Sequence, residues 1–375
     1  MQQTIKSKSI VVIDAQWKLR ENFLQSHGLI VLKTEPQGGT SWFELDTKDG
    51  LGQRLTPEGE RSWGCGPESG GAGLTWAMND INSPISAFQV NRNELIYADH
   101  NEIKRLKNGQ IDSLVQFDLE TQAFAGIWGS PKGQELYYVL RDREMPLSEQ
   151  IQILNKGGMF SPPNGHFKLF KLETGARNVR SWDLGPASLP HAIDVWNAQV
   201  FHLSAYNGGL SRIDLKLGAV ASIKAPGILP LGLSPLSEMT LLAWGGMGTS
   251  FPGITEVEFR TGEAVNICEF GELPGLSPDM QSLAFLSDDG LWLLRDGTAT
   301  LMHRFLPFGH PGCHIEWCEC GRYLTVSIPN GIKADTLIRE WPLALLIADT
   351  QEHEIVKFDV RPVAYHWKSC KTTPH

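Results

Sequence analysis

The chain has 375 residues, 41% of them hydrophobic and 20% charged, with 38 glycines and 22 prolines. That composition supplies a sizeable core and carries too many turn formers for a mostly helical fold, while the glycines are too scattered for collagen or a disordered tail. A formal charge of −9, from 33 basic and 42 acidic residues, with no dense Lys/Arg run, argues against a nucleic-acid polyanion as the main partner.

At the N terminus the first nine residues are basic, but the apolar run Ile10-Val-Val-Ile13 meets Asp14 too early to form a secretory signal. No apolar stretch approaches the ~20 residues that a membrane helix needs. The six cysteines, at 65, 268, 313, 318, 320 and 370, are too few for a disulfide scaffold and suit a reducing compartment. These features predict a soluble, cytoplasmic protein. Residues 17–25 are the one short helical candidate, at most two turns.

From there on the chain repeats one pattern, in which a turn of Ser/Pro/Asp/Gly type is followed by an apolar strand. In chain order the turns are Gln25-Ser-His-Gly28, Asn91-Arg-Asn93, Ser130-Pro-Lys-Gly133, Asn197-Ala198, Ser234-Pro-Leu-Ser237, Ser277-Pro-Asp-Met280 and Cys318-Glu-Cys-Gly321. The strands after them are expected at 29–32, 95–97, 136–139, 200–203, 241–243, 283–285 and 324–326. Most units continue into a second hairpin with an acidic, Thr-Gly or Asp-Gly turn, at 42–50, 167–175, 210–218, 255–262 and 291–297. Period-two alternation of apolar and polar residues suits strands with one buried face.

Two hairpins make a four-stranded unit, and from Ser234 to Ser277 to Cys318 the units recur at the interval of about 40 residues typical of propeller blades. The predicted fold is all-β: a seven-bladed β-propeller of four-stranded antiparallel blades, with six or eight blades as alternatives. Two further strands, 355–358 and 363–367, are expected to share a blade with N-terminal strands and so close the ring, giving a single domain over 1–375.

The best copies, Leu276-Ser-Pro-Asp-Met-Gln-Ser-Leu-Ala-Phe285 and Trp317-Cys-Glu-Cys-Gly-Arg-Tyr-Leu-Thr-Val326, resemble a known propeller repeat. It is that of the Tol-system periplasmic protein and of the noncatalytic domains of prolyl oligopeptidases and dipeptidyl peptidases, Trp-Ser-Pro-Asp-Gly-Lys/Arg-x-Leu-Ala-Phe. Met280 stands at the Gly position, and Cys318, Glu319 and Cys320 replace Ser-Pro-Asp. The resemblance implies a propeller used as a gate or a docking surface for proteins. A serine hydrolase would need a Gly-x-Ser-x-Gly elbow on an α/β domain, and the sequence has neither.

If the strands of a blade are named a to d from the axis outward, the b–c loops and the d–a crossovers open on one face. The long excursions at 60–84, 141–165, 245–253 and 328–342, with a shorter one at 305–312, all fall in those connections. Loops gathered on a rigid scaffold are where recognition usually sits. They carry Trp63 and Trp76, then Met145, Met159 and Phe160, then Met247 and Phe251, and finally Trp341. Such side chains anchor protein interfaces; the competing reading tucks them down as covers over the blade tops. The glycine-rich tract at 64–73 lacks the Lys-Ser/Thr ending of a phosphate loop.

His310, Cys313, His314, Cys318 and Cys320 form the densest set of metal-ligand residue types. Alternation along a strand at 314–318 divides them between opposite faces, so no metal site is expected there. On innermost strands His191 with Asp194, and His314 with Glu316, can place imidazole beside carboxylate on the axis. Some propeller lyases and lactonases hold one divalent cation at such a place, which makes a metal-dependent lyase or hydrolase the alternative reading. A water-filled, hydrogen-bonded channel is the simpler account of the same residues. The sequence thus points to a nonenzymatic propeller without cofactor that binds another protein on its insertion-rich face, as an inhibitor or immunity-type binder would.

Overall fold

The computed structural model describes residues 9–12, 16–17, 29–34, 40–45, 52–55, 87–91, 94–99, 101–129, 135–156, 166–173, 179–186, 188–193, 200–205, 209–224, 230–235, 240–245, 253–258, 260–287, 289–305, 315–318, 320–330, 343–360 and 362–367. Its first strands are β1 (Ser9–Val12), β2 (Gln16–Trp17), β3 (Leu29–Thr34) and β4 (Thr40–Glu44). Next come β5 (Ala87–Asn91), β6 (Glu94–Asp99), β7 (Glu102–Lys107) and β8 (Gln110–Gln116). They lead to β9 (Gln122–Gly129), β10 (Glu135–Asp142), the helix α1 (Leu147–Asn155), β11 (His166–Glu173) and β12 (Val179–Pro186). The chain continues through β13 (Ser188–Ile193), β14 (Val200–Ala205), β15 (Gly209–Asp214) and β16 (Val220–Lys224). Then follow β17 (Pro230–Pro235), β18 (Thr240–Gly245), β19 (Ile254–Glu258) and β20 (Ala264–Cys268). After β21 (Glu272–Leu276), β22 (Ser282–Ser287), β23 (Gly290–Arg295) and β24 (Thr298–Arg304) come β25 (Ile315–Trp317), β26 (Tyr323–Pro329), β27 (Leu343–Asp349) and β28 (Glu354–Phe358), and the last strand is β29 (Pro362–Trp367).

Six consecutive runs of four strands, β5–β8 through β25–β28, each make one antiparallel sheet in chain order, and a seventh sheet has the order β29-β3-β4. The fourth position of the seventh is held by a bridge between Phe43 and Arg54, with Leu55 N–H donating to Trp42 O at 2.8 Å. First strands touch in succession: β5 meets β9, β9 meets β13, β13 meets β17, β17 meets β21, β21 meets β25, β25 meets β29, and β29 meets β5.

The expected sharing of a sheet between the C-terminal strand at 363–367 and an N-terminal strand is present: β29 pairs antiparallel with β3, with Tyr365 opposite Val31. The earlier N-terminal strands do not join that sheet. The N-terminal residues instead lie on outer edges: β1 pairs in parallel with β24, and β2 in parallel with β28, so those two sheets have five strands. Trp17 is therefore in a strand at its outset, opposite Ile355, and residues 18–28 lie outside the described set.

The middle strands are also buried on both faces, not one. All of β22 and β27 is buried, and parity along the strand decides which neighbour each side chain meets. Ala344, Leu346 and Ala348 of β27 join Leu291, Leu293 and Met302 of the preceding sheet. Leu345 and Ile347 point the other way, into a cluster with Leu29, Val31, Tyr365 and Trp367. β10 divides likewise, with Leu136, Tyr138 and Leu140 on one side and Tyr137 and Val139 on the other. A sheet sandwiched between two sheets needs near-continuous apolar strands, which explains runs such as Leu343-Ala-Leu-Leu-Ile-Ala348.

The two best repeat turns have the same backbone. Ser277 N–H donates to Ser282 O and Met280 N–H to Ser277 O, both at 2.8 Å; Cys318 N–H donates to Tyr323 O at 2.8 Å and Gly321 N–H to Cys318 O at 2.9 Å. No helix among the described residues is long and apolar enough to cross a membrane.

Candidate functional site

The best-described excursion is the b–c connection after β10, which contains α1. Its N terminus is capped from outside the connection. Leu147 N–H donates to the carbonyl of Glu120 at 3.1 Å and Ser148 N–H to the Glu120 carboxylate at 3.0 Å, on the crossover from β8 to β9. A carboxylate there satisfies a donor that the helix cannot satisfy itself and faces the positive end of its dipole.

Arg143 fastens the other side of the same joint. Its Nε donates to Leu119 O at 2.9 Å and to Gln122 O at 3.1 Å, and its Nη1 reaches Gln150 Oε1 at 3.4 Å. Gln150 is buried, and its amide donates to Met145 O at 2.7 Å. Asp118 holds the crossover itself, accepting from Glu120 N–H and from the Thr121 hydroxyl, each at 3.0 Å. With Leu147 buried, these bonds leave Ser148, Glu149, Gln152, Asn155 and Lys156 exposed along the helix. The result is a short helix fixed as part of a loop surface, with polar side chains outward.

Two smaller joints link b–c turns to the crossovers of their own sheets. Phe117 N–H donates to Asn101 O at 2.9 Å, and Phe305 N–H to Asp289 O at 3.3 Å. Asp289 is engaged locally: its Oδ1 accepts from the Ser287 hydroxyl at 2.6 Å and the Trp292 indole at 2.8 Å. Partial burial opposes its ionisation, but those two bonds and the charge of Arg304 outweigh it and hold the carboxyl below its ordinary range.

Of the expected interface anchors, Met145 alone lies in the described set. It is half-buried at the foot of α1. Trp63, Trp76, Met159, Phe160, Met247, Phe251 and Trp341 fall outside the described residues, as do Asp194 and His314 of the channel set. His191 sits on β13 at a register shift between Pro190 and Ala192. Glu316, on β25, turns one carboxylate oxygen to the backbone N–H of Trp367 on the next sheet, at 3.1 Å. That contact gives Glu316 a role between innermost strands.

Among the described residues no three His, Cys, Asp or Glu side chains gather into a metal-binding set. His310 and Cys313 are outside those residues; Cys318 is buried and Cys320 exposed in the turn between β25 and β26. The α1 joint escaped the sequence reading, although Pro146 ahead of Leu147 and Glu149 in the first turn are recognised helix-start signals. Its polar buried member, Gln150, breaks the apolar stripe that would have marked the helix.

No protein-family model and no curated protein matches the chain. Solved structures do. A puromycin-hydrolysing peptidase of Mycobacterium tuberculosis aligns over 96% of this chain with a TM-score of 0.57 and 11% identity, and the chain spans 57% of that protein's length. Dihydro-heme d1 dehydrogenase NirN aligns over 94% of this chain and 76% of its own, with a TM-score of 0.49 and 14% identity. The Myceliophteria thermophila Cps50 (Swd1) β-propeller domain aligns over 75% of this chain and 87% of its own, with a TM-score of 0.47 and 12% identity. At such identities the likeness is one of fold: antiparallel, mostly four-stranded sheets of a β-propeller.

Proposed function

We propose that the chain is a seven-bladed β-propeller, joined into a ring through β29 and β3, whose b–c loops and crossovers form a surface for capturing another protein. The seven sheets and the succession of contacts between first strands support the blade count. The docking of α1 onto the crossover at 118–122 carries the functional reading. A loop that served only to join two strands would not need a capped helix, a buried glutamine and an arginine bonded to two crossover carbonyls. Recognition surfaces do need loops held in place beforehand, because ordering them on binding costs affinity. The insertions at 60–84, 245–253 and 328–342 belong to this face on the same topological argument, and Trp63 and Trp341 are among its anchors. Propeller relatives include both catalysts and scaffolds, so the fold alone does not choose between them.

The test uses a photo-crosslinking residue placed at Gln152 on α1 or, as a control, at Leu217 in the turn between β15 and β16. A single protein trapped from position 152 and not from 217, and lost in a Trp63→Ala/Trp341→Ala variant that melts normally, is the expected result. Equal trapping from both positions, or trapping unchanged by the double substitution, overturns the assignment of the face.

A further inference from the structure

We propose that Cys318 and Cys320 form a dithiol that exchanges with small-molecule disulfides while the protein stays folded. Its basis is the repeat turn. In the turn at 277–280 the side chains at the first and third positions meet, the Ser277 hydroxyl donating to Asp279 Oδ1 at 2.6 Å. In the turn at 318–321 the backbone bonds are the same and the same two positions hold cysteines, with Sγ of Cys320 3.1 Å from Sγ of Cys318. A position pair that elsewhere holds a Ser–Asp hydrogen bond here presents two sulfurs, about 1 Å from bonding distance.

The two thiols differ in access. Cys318 is fully buried, packed with Leu29, Tyr323, Leu345 and Trp367, whereas Cys320 is exposed. That asymmetry sets an order of events. The Cys320 thiolate attacks one sulfur of a low-molecular-weight disulfide RSSR, forming a mixed disulfide and releasing one RS⁻. Cys318 then loses its proton and attacks Sγ of Cys320, which expels the second RS⁻ and leaves the 318–320 disulfide. The balance is protein dithiol plus RSSR giving protein disulfide plus 2 RSH, with the small disulfide as oxidant. Run backwards, the same steps let a small thiol restore the dithiol. The closeness of the buried sulfur makes the second step intramolecular and fast compared with escape of the mixed disulfide.

Oxidised glutathione is the probe, applied to the native folded chain, with the tryptic peptide spanning 305–322 read by mass spectrometry after alkylation. The expected product has lost two hydrogens, carries a 318–320 link and retains no glutathione. A Cys318→Ser variant, which copies the serine of the sister turn, should keep glutathione on Cys320, and Cys318→Ala gives the same readout should the serine perturb the core. Cys320→Ser should slow thiol consumption at Cys318 by about tenfold or more, because that sulfur is buried. A Cys313→Ser variant should behave like the wild type. Glutathione retained on Cys320 in the wild type, a link that uses Cys313, or no reaction before unfolding would overturn the proposal.

Discussion

The indole nitrogen of Trp317 donates to the carbonyl oxygen of Gly275 across the boundary between two sheets, at 2.8 Å. One sheet further on, Trp367 repeats the contact, its indole nitrogen lying 3.3 Å from Glu316 O. Tryptophan at the end of an innermost strand thus works as a clamp onto the first strand of the preceding sheet. Gly275 is shaped to receive it, since a Cβ there would stand 2.8 Å from Ile315 Cγ2 and 3.5 Å from the Trp317 ring. Trp317→Phe should cost about 1 kcal/mol, the net value of one hydrogen bond. Gly275→Ala should cost more, about 1–3 kcal/mol, because the methyl group must displace Ile315. Urea unfolding of both variants checks the order; an alanine variant as stable as the wild type would show that the two sheets are not in close contact at this point.

The joint between the chain termini makes a second prediction. Tyr365 of β29 is buried, and its hydroxyl accepts from Ser327 N–H of β26 at 2.9 Å. Tyr365→Phe keeps the ring but leaves a buried amide without that acceptor, a loss of about 1–3 kcal/mol. Removing residues 361–375 takes away the whole strand beside β3 and exposes the cluster around Leu29, Val31 and Trp367. The truncated chain should lose cooperative melting, and a truncation that melts sharply at the wild-type temperature would mean that β29 contributes nothing to the stability of the fold.

Much of this frame was legible because turns with hydroxyl, acidic and glycine residues mark strand ends whatever surrounds them. The turns at 277–280 and 318–321 fall between paired strands as the pattern predicts, and the hairpins read from Thr-Gly and Asp-Gly dipeptides match β19–β20 and β23–β24. What escaped was pairing between distant segments. Nothing local in Ser9–Val12 or Gln16–Trp17 states that they lie in parallel against Thr298–Arg304 and Glu354–Phe358, because an outer edge accepts any short extended piece. The exception is the return of 363–367 to a sheet with an N-terminal strand, which was expected, although not its register with Tyr365 opposite Val31. As for the site, the position of the 141–165 loop was readable, while its helix depends on Glu120 and Arg143, contacts outside the helix itself.

Two carboxylates should move stability in opposite directions with pH. Asp289 has its folded value depressed, chiefly by the Ser287 and Trp292 bonds acting against partial burial. Such a group supports folding above its unfolded value near 3.9 and loses that support as pH falls through the folded value. Asp289→Asn should therefore be less stable than the wild type at neutral pH, with the gap closing in acid. Glu256 on β19 is raised, because burial disfavours its charge. Its contribution is greatest while the carboxyl is protonated and declines as pH rises from the unfolded value through the folded one. Glu256→Gln should be more stable than the wild type at pH 7 and equal to it in acid. Melting curves of the three proteins between pH 3 and 7 decide; parallel curves would mean that neither carboxyl is perturbed by the fold.

The repeat turns carry the last prediction, through a residue that the pattern itself marks as out of place. Met280 takes the glycine position of the repeat with φ +59°, whereas the matching residue of the next sheet is Gly321 at φ +70°. A left-handed backbone costs a side chain about 1–2 kcal/mol and glycine nothing steric, although glycine gives some of that back in the entropy of the unfolded chain. Met280 is 37% exposed, so little packing is lost with its side chain. Met280→Gly should then stabilise the protein by about 0.5–1 kcal/mol. Gly321→Ala tests the same account from the other side: the nearest atoms to an added Cβ, on Asp279, stand 3.8 Å away, so the penalty is backbone strain alone and should be about 1 kcal/mol. Opposite signs for the two variants in chemical denaturation are required; a destabilised Met280→Gly would mean that the methionine side chain, and not the turn, governs this corner.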